Sequence, residues 1–139
     1  MSDTLSIEKL SEIMARQDKA MLVTRHGDDS AVRPMSNNRE VDDDGDTFFF
    51  THGDTTTVAD IKDHERVSVS YQDTDDDTYI ALSGPAKLHT DRATLEKHWK
   101  ESLKDWFEDD LDTDGLTLIE VNAERVHYWI GRDSGELTL

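Results

Sequence analysis

The sequence predicts a mainly β domain, an antiparallel barrel with a few flanking helices, on three observations. Val67–Tyr71 and Val126–Ile130 alternate apolar and polar residues, the two-residue period of a strand with one buried face. Turn residues punctuate the chain at short intervals, and no alternation of strands with long helices marks a parallel sheet. The 139 residues contain no internal repeat and no linker rich in Pro, Gly or Ser, so a single domain over 1–139 is expected.

The elements follow in order. Leu5, Leu10, Ile13, Met14 and Gln17 recur at helical spacing and predict an amphipathic opening helix between Leu5 and Lys19. AMLVTR (20–25) and SAVRPMSN (30–37) flank His26, Gly27, Asp28 and Asp29 as the arms of a hairpin flank its turn. VDDDGD is a second turn, leading into the phenylalanine strand TFFFTH. Residues 56–63 read as a short helix, VSVSY as a strand, QDTDDD as a turn, and TYIALSGPAKLH (78–89) as one long strand bent near Gly84 and Pro85.

ATLEKHWKESLKDWF then predicts a second long helix, with Leu95, Trp99, Leu103 and Trp106 on one stripe. The acidic loop EDDLDTDG follows, and LTLIEVN and RVHYWI bring the strands to seven. In RVHYWI, Val126, Tyr128 and Ile130 occupy one face and His127 and Trp129 the other, so cover is expected on both faces.

Composition narrows the function. Fifteen basic residues stand against 32 acidic ones, 22 of them Asp, for a formal charge of −17. Phosphate-backbone binding needs a basic footprint, so nucleic acid is excluded as a partner. The acid surplus reads as a solvated acidic surface of a salt-adapted kind, whose self-repulsion salt screens. Cysteine is absent, which removes disulfides, thiolate nucleophiles and Cys-based zinc sites. The polar N-terminus lacks the apolar core of a signal peptide and no run is long enough to span a bilayer, so a cytoplasmic protein with no membrane partner is expected.

Three features of the sequence bear on chemistry. Asp110-Leu111-Asp112-Thr113-Asp114-Gly115 matches the first half of a calcium-binding EF-hand loop, but Val121 stands where the bidentate acid belongs. Glu120 is one place early, which in a strand turns its side chain to the opposite face. A solvated acidic loop is favoured, with an acidic calcium-binding protein as an alternative reading. The six histidines form no metal spacing, and no Gly-x-Ser-x-Gly elbow marks a nucleophile, so neither a metal site nor a catalytic residue is assigned. Thr55, Thr56 and Thr57 stand where a strand ends and a helix begins, and hydroxyls there can join free N–H groups in holding a phosphate. Thr57-Val58-Ala59-Asp60 is also a capping-box-like pattern that needs no ligand, so local sequence leaves both readings open.

Five segments in order carry a resemblance: VRPMSNN, FFFTHGDTTTVADI followed by RVSVSY, ALSGPAKL, Trp106-Phe107 before the acidic loop, and VHYW. Over roughly residues 5–131 the chain resembles the general stress protein branch of the pyridoxamine 5′-phosphate oxidase family, the flavin-binding split barrels. The resemblance implies a six-stranded antiparallel split barrel of Greek-key type, paired as a homodimer with FMN bound between subunits. It places Arg33 at the phosphate, Pro34, Met35 and Ser36 beside the flavin ring, and Phe50 and Thr51 along the same wall. Thr55, Thr56 and Thr57 fall at the family's Ser-Arg-Lys phosphate clasp, and Trp106 and Trp129 become ring contacts from the partner subunit.

An FMN-dependent oxidoreductase acting on an unidentified small molecule is implied, with a deazaflavin as a substitute cofactor that related split barrels use. Pyridoxamine phosphate oxidase activity itself is not expected. The chain departs from the family at residues 56 and 57, where two basic residues are replaced by threonine, leaving Arg33 with His52 or Lys62 to balance the phosphate. Two lost charge-assisted bonds cost roughly 3–6 kcal/mol of binding. A split barrel that has lost its cofactor and serves as a binding module is therefore the alternative.

Overall fold

A computed structural model describes residues 5–36 and 40–139; Asn37, the last residue of the expected second strand, lies outside the described residues. The elements are α1 (Ile7–Ala15), β1 (Lys19–His26), β2 (Asp29–Ser36), β3 (Thr47–His52), α2 (Thr56–Asp63), β4 (Arg66–Asp73), β5 (Thr78–His89), α3 (Arg92–His98), β6 (Leu116–Val121), β7 (Arg125–Ile130) and β8 (Asp133–Thr138). Every strand pairing is antiparallel, and six strands run in the order β2-β1-β4-β5-β6-β3. This curled sheet is the expected split barrel. β7 pairs with β5 and carries β8 beyond it.

Alternation along the strands builds the core. Ala20 and Leu22 from β1, Val67, Val69 and Tyr71 from β4, Ile80 and Leu82 from β5, and Val126 and Tyr128 from β7 all point inward. Leu10, Ile13 and Met14 of α1 and Ile61 of α2 close over them. α1 is shorter than the sequence pattern suggested. The N–H groups of Arg16 and Gln17 reach back to the carbonyls of Ile13 and Met14, tightening the last turn, and Lys19 is already paired with Ser36 in the β1–β2 hairpin.

β5 is the spine of the sheet and bends where Gly84 and Pro85 were expected to bend it. One edge pairs with β4 from Thr78 to Pro85; the other pairs with β7 through Thr78–Ser83 and with β6 through Ala86–His89. β6 and β7 therefore form one interrupted strand that follows β5 around the bend, with Asn122–Glu124 as a bulge. The Asn122 N–H donates to the Pro85 carbonyl at 3.0 Å and the Glu124 N–H to the Ser83 carbonyl at 2.9 Å. A Cβ on Gly84 would lie 1.8 Å from the Asn122 carbonyl oxygen, so only glycine permits this approach.

Two expectations are corrected. The long helix over 93–107 is broken: α3 stops at His98, Trp99 is extended (φ −67°, ψ 140°), and Glu101–Asp105 forms a 3-10 segment. The break serves tertiary contacts, since His98 stacks on Phe48 at 4.2 Å while Trp99 meets Phe50 edge-on at 5.5 Å. Leu95 and Leu103 are buried in a second core with Phe48, Phe107, Leu116 and Leu118, whereas Trp106 leaves the stripe and is 60% exposed. The strand β8 was missed because DSGELT is polar and carries a glycine. That glycine, Gly135, makes room for the Tyr128 hydroxyl, which accepts a hydrogen bond from the Leu5 N–H at 3.1 Å.

Among the described residues, no helix is long and apolar enough to cross a membrane. Because backbone rather than a flexible side chain opposes residue 84, Gly84→Ala is expected to cost about 3 kcal/mol or more of stability, measured by urea unfolding. A loss under about 1 kcal/mol contradicts the role given to the bend.

Candidate functional site

The end of β2, the start of β1, the end of β3 and the segment after α3 enclose a cleft of about 360 Å³, within the range of small-molecule sites. Hairpin register sets one wall, placing Met21 opposite Pro34, Ala20 opposite Met35 and Lys19 opposite Ser36. The β3–β6 ladder sets the facing wall with Phe50, Thr51 and His52. Leu103, Trp106 and Phe107 complete the enclosure. Trp99 braces Phe50, and Phe107 packs against Trp99 at 6.3 Å and His52 at 4.9 Å. The Lys19 ammonium donates to the Ser36 hydroxyl at 3.0 Å and sits 4.9 Å above the centre of the Trp106 ring, a cation–π distance.

Six of the eleven residues singled out from sequence meet here: Pro34, Met35, Ser36, Phe50, Thr51 and Trp106. Trp106 lines the cleft of its own chain. His52, expected as a candidate partner of the phosphate, also lines the cleft, whereas Lys19, Leu103 and Phe107 were given no site role from sequence. Lys19 is recoverable from the sequence, because a two-residue turn at Gly27-Asp28 fixes a register in which residue 19 faces residue 36.

The remaining expected residues lie elsewhere. Thr55 is the cap of α2: its hydroxyl accepts from the Val58 N–H at 3.4 Å and donates to the His52 carbonyl at 2.9 Å. Thr56 is exposed and Thr57 is buried. The acid of the capping-like pattern, Asp60, is also buried and looks the other way, toward β1 and β2. It accepts from the Thr24 hydroxyl at 3.0 Å and lies 2.6 Å from His26 Nδ1. Arg33 joins the same network, donating from Nη1 to Thr24 Oγ1 at 2.7 Å, with Nη2 3.5 Å from the Asp60 carboxylate. The hydrogen bond from His26, followed by that from Thr24, holds the Asp60 carboxyl below its ordinary range despite burial. The same contact raises His26; Asp29 adds to that rise and Arg33 opposes it.

Trp129 lies on a different surface, stacked on His127 at 4.1 Å beside Ser68, Ala81, Ser83 and Arg125. Val32, Tyr79 and Trp129 are exposed in the single chain, on a sheet face that also carries Ser68, Ser83 and Arg125. In the acidic loop, Asp110–Asp112 forms a single 3-10 turn whose charges are drawn sideways. Arg92 binds Asp112 at 2.7 Å and the Leu111 carbonyl at 3.2 Å, and Lys104 lies 4.0 Å from Asp110. Glu120 is engaged by His89 and Asn122. Among the described residues, no three His, Asp or Glu side chains are placed to hold a metal ion.

The family model for pyridoxamine 5′-phosphate oxidase-like proteins matches residues 6–138. The chain belongs to this family. The match extends the resemblance read from the motifs through β8. Protein bli-3 of Neurospora crassa is 27% identical over an alignment of 134 positions that covers 89% of this chain. The chain spans 64% of the length of that curated relative.

Among solved structures, General Stress Protein 26 from Bacillus anthracis str. Sterne is 26% identical with a TM-score of 0.79, over 96% of this chain and 98% of its own. A protein related to general stress protein 26 from Clostridium acetobutylicum shares the fold at a TM-score of 0.85 and 16% identity, covering 96% and 94% of the two chains. The general stress FMN/FAD binding protein from Xanthomonas citri does so at 0.77 and 23%, covering 95% and 93%.

In this pyridoxamine 5′-phosphate oxidase-like chain the His26–Asp60 pair has a pH signature. The raised His26 contributes stability that is complete below its ordinary value of 6.5 and is lost as pH rises through the higher folded value. The depressed Asp60 contributes stability that is present above its ordinary 3.8 and is lost as pH falls through the folded value. The stability difference between wild type and His26→Gln should thus shrink as pH rises from 6.5 into the alkaline range, read from urea midpoints. A constant difference across that range contradicts the pairing.

Proposed function

We propose that the chain is a flavin-binding split barrel of the general stress type, with the flavin ring held in the cleft between β2 and β3. The observation that carries this reading is convergence: Pro34–Ser36, Phe50–Thr51 and Trp106, far apart in sequence, meet on one cleft of suitable size. Its walls of Pro34, Met35, Phe50, Leu103 and Phe107 suit a flat aromatic ring, and the Ser36 and Thr51 hydroxyls supply hydrogen-bond partners for polar ring edges. The fold shared with the Xanthomonas citri FMN/FAD binding protein supports the same reading.

The phosphate half of FMN is served less well. Thr55 is committed to capping, Thr57 is buried, and Arg33 shares its charge with Asp60. Exposed Thr56 and the first N–H groups of α2 remain the phosphate donors in this reading. A bound flavin supplies hydride or electron transfer, while the chain's residues bind, orient and exclude water. The reaction is the oxidation or reduction of a small molecule. The open face carrying Val32, Tyr79 and Trp129 supports a homodimer, in which Trp129 reaches the partner's flavin.

Titration of FMN and riboflavin, followed by flavin fluorescence, tests the proposal. Both should bind, FMN by no more than about tenfold tighter, and Phe50→Ala should weaken both by about tenfold. Failure of either flavin to bind would leave the alternative reading, a split barrel without cofactor, which the Arg33–Asp60 pairing favours. Light scattering should give about twice the 15.8 kDa of one chain; a single-chain mass contradicts the shared site.

A further inference from the structure

Acidic residues make up 32 of the 139 in this chain, yet none of the ten described residues lining the cleft is acidic. The one ammonium in that lining belongs to Lys19, whose partners are both neutral: the Ser36 hydroxyl and the face of Trp106. Lys19, Ser36, Leu103 and Trp106 also line a polar arm that continues from the cleft past Asp18, Lys100, Ser102 and Asp105. Lys100 is paired there with Glu40 at 3.1 Å, so its charge is partly balanced.

The ammonium at the junction of an apolar cleft and a polar arm is thus held by a hydroxyl and a ring, both weaker partners than a carboxylate. Trp106, at 60% exposed, is held out in solvent rather than packed into the second core. An ammonium resting on an exposed indole beside an apolar wall matches one class of ligand, a flat organic anion. Its ring lies at the mouth of the cleft beside Trp106, outside the flavin's place on the aromatic wall, and its negative group replaces water around Nζ.

We propose that Lys19, positioned by Ser36 and Trp106, anchors the anionic group of a planar organic substrate at the mouth of the cleft. This names a substrate class for the flavin site proposed above and rests on that reading. The whole-protein charge of −17 opposes any anion, so retention of one at the cleft mouth depends on the local cation that Lys19 supplies.

Benzoate is the probe, with benzyl alcohol as its neutral counterpart. Each is titrated into the full chain at constant ionic strength, with and without saturating riboflavin, and followed by tryptophan fluorescence. Wild type should bind benzoate saturably in both conditions, Lys19→Gln should weaken benzoate by about tenfold or more, and Lys19→Arg should stay within about threefold of wild type. Benzyl alcohol should respond to neither substitution.

Equal benzoate affinity in wild type and Lys19→Gln, or an equal loss for benzyl alcohol, overturns the anchor. Abolition of benzoate binding by riboflavin overturns the substrate assignment, because the anchor then lies within the flavin's own place. If wild type binds benzoate through Lys19 but binds no riboflavin, the flavin reading fails while the anchor stands.

Discussion

The architecture depends on one close backbone approach, the contact of Gly84 with the Asn122 carbonyl where β5 and the β6–β7 strand bend together. A long antiparallel pair kept straight would stay in one sheet. Here the ladder shifts by one residue across the bulge, so β7 stays with β4 and β1 on one side of the bend while β6 turns away with β3. That turn brings Phe50 and Thr51 of β3 to face Pro34–Ser36 of β2, the two walls of the cleft. The missing Cβ at residue 84 and the placement of the site are links in one chain of causes.

The same bend leaves the outer face of β3 uncovered, and residues 92–112 fold back to cover it. Phe48 and Phe49 are both buried because β3 is sandwiched, Phe49 in the barrel core and Phe48 under Leu95, Leu103 and Phe107. The excursion is held in place by His98, hydrogen-bonded to Glu40 at 2.8 Å and stacked on Phe48. Burial opposes ionisation of Glu40, but the hydrogen bonds from His98 and Lys100 outweigh it and hold the carboxyl below its ordinary range. By breaking the helix at Trp99, the excursion both closes a second core and frees Trp106 to stand over Lys19.

Strand positions and the bend were legible because they rest on local rules: the period of two in Val67–Tyr71 and Val126–Ile130, and Gly-Pro in mid-strand. The helix break was not legible, since ATLEKHWKESLKDWF carries a good helical stripe and only contacts with Phe48 and Phe50 override it. β8 escaped because its polar residues are held by pairing with β7 rather than by a pattern of their own. At the site, the family motifs pointed to residues that line the cleft, whereas the pairing of Arg33 with Asp60 joins a strand to a helix in a way that no spacing reveals. Lys19 fell between these cases, hidden in composition but recoverable from hairpin register.

The central claim is that a bent sheet places β2 against β3 around a flavin ring. A crystal structure of the protein grown with FMN tests it most directly. The account predicts ring density between Pro34–Ser36 and Phe50–Thr51, with Gly84 in backbone contact with Asn122 at the bend. Density for the ring at another surface, with the cleft between β2 and β3 free of it, would contradict the account.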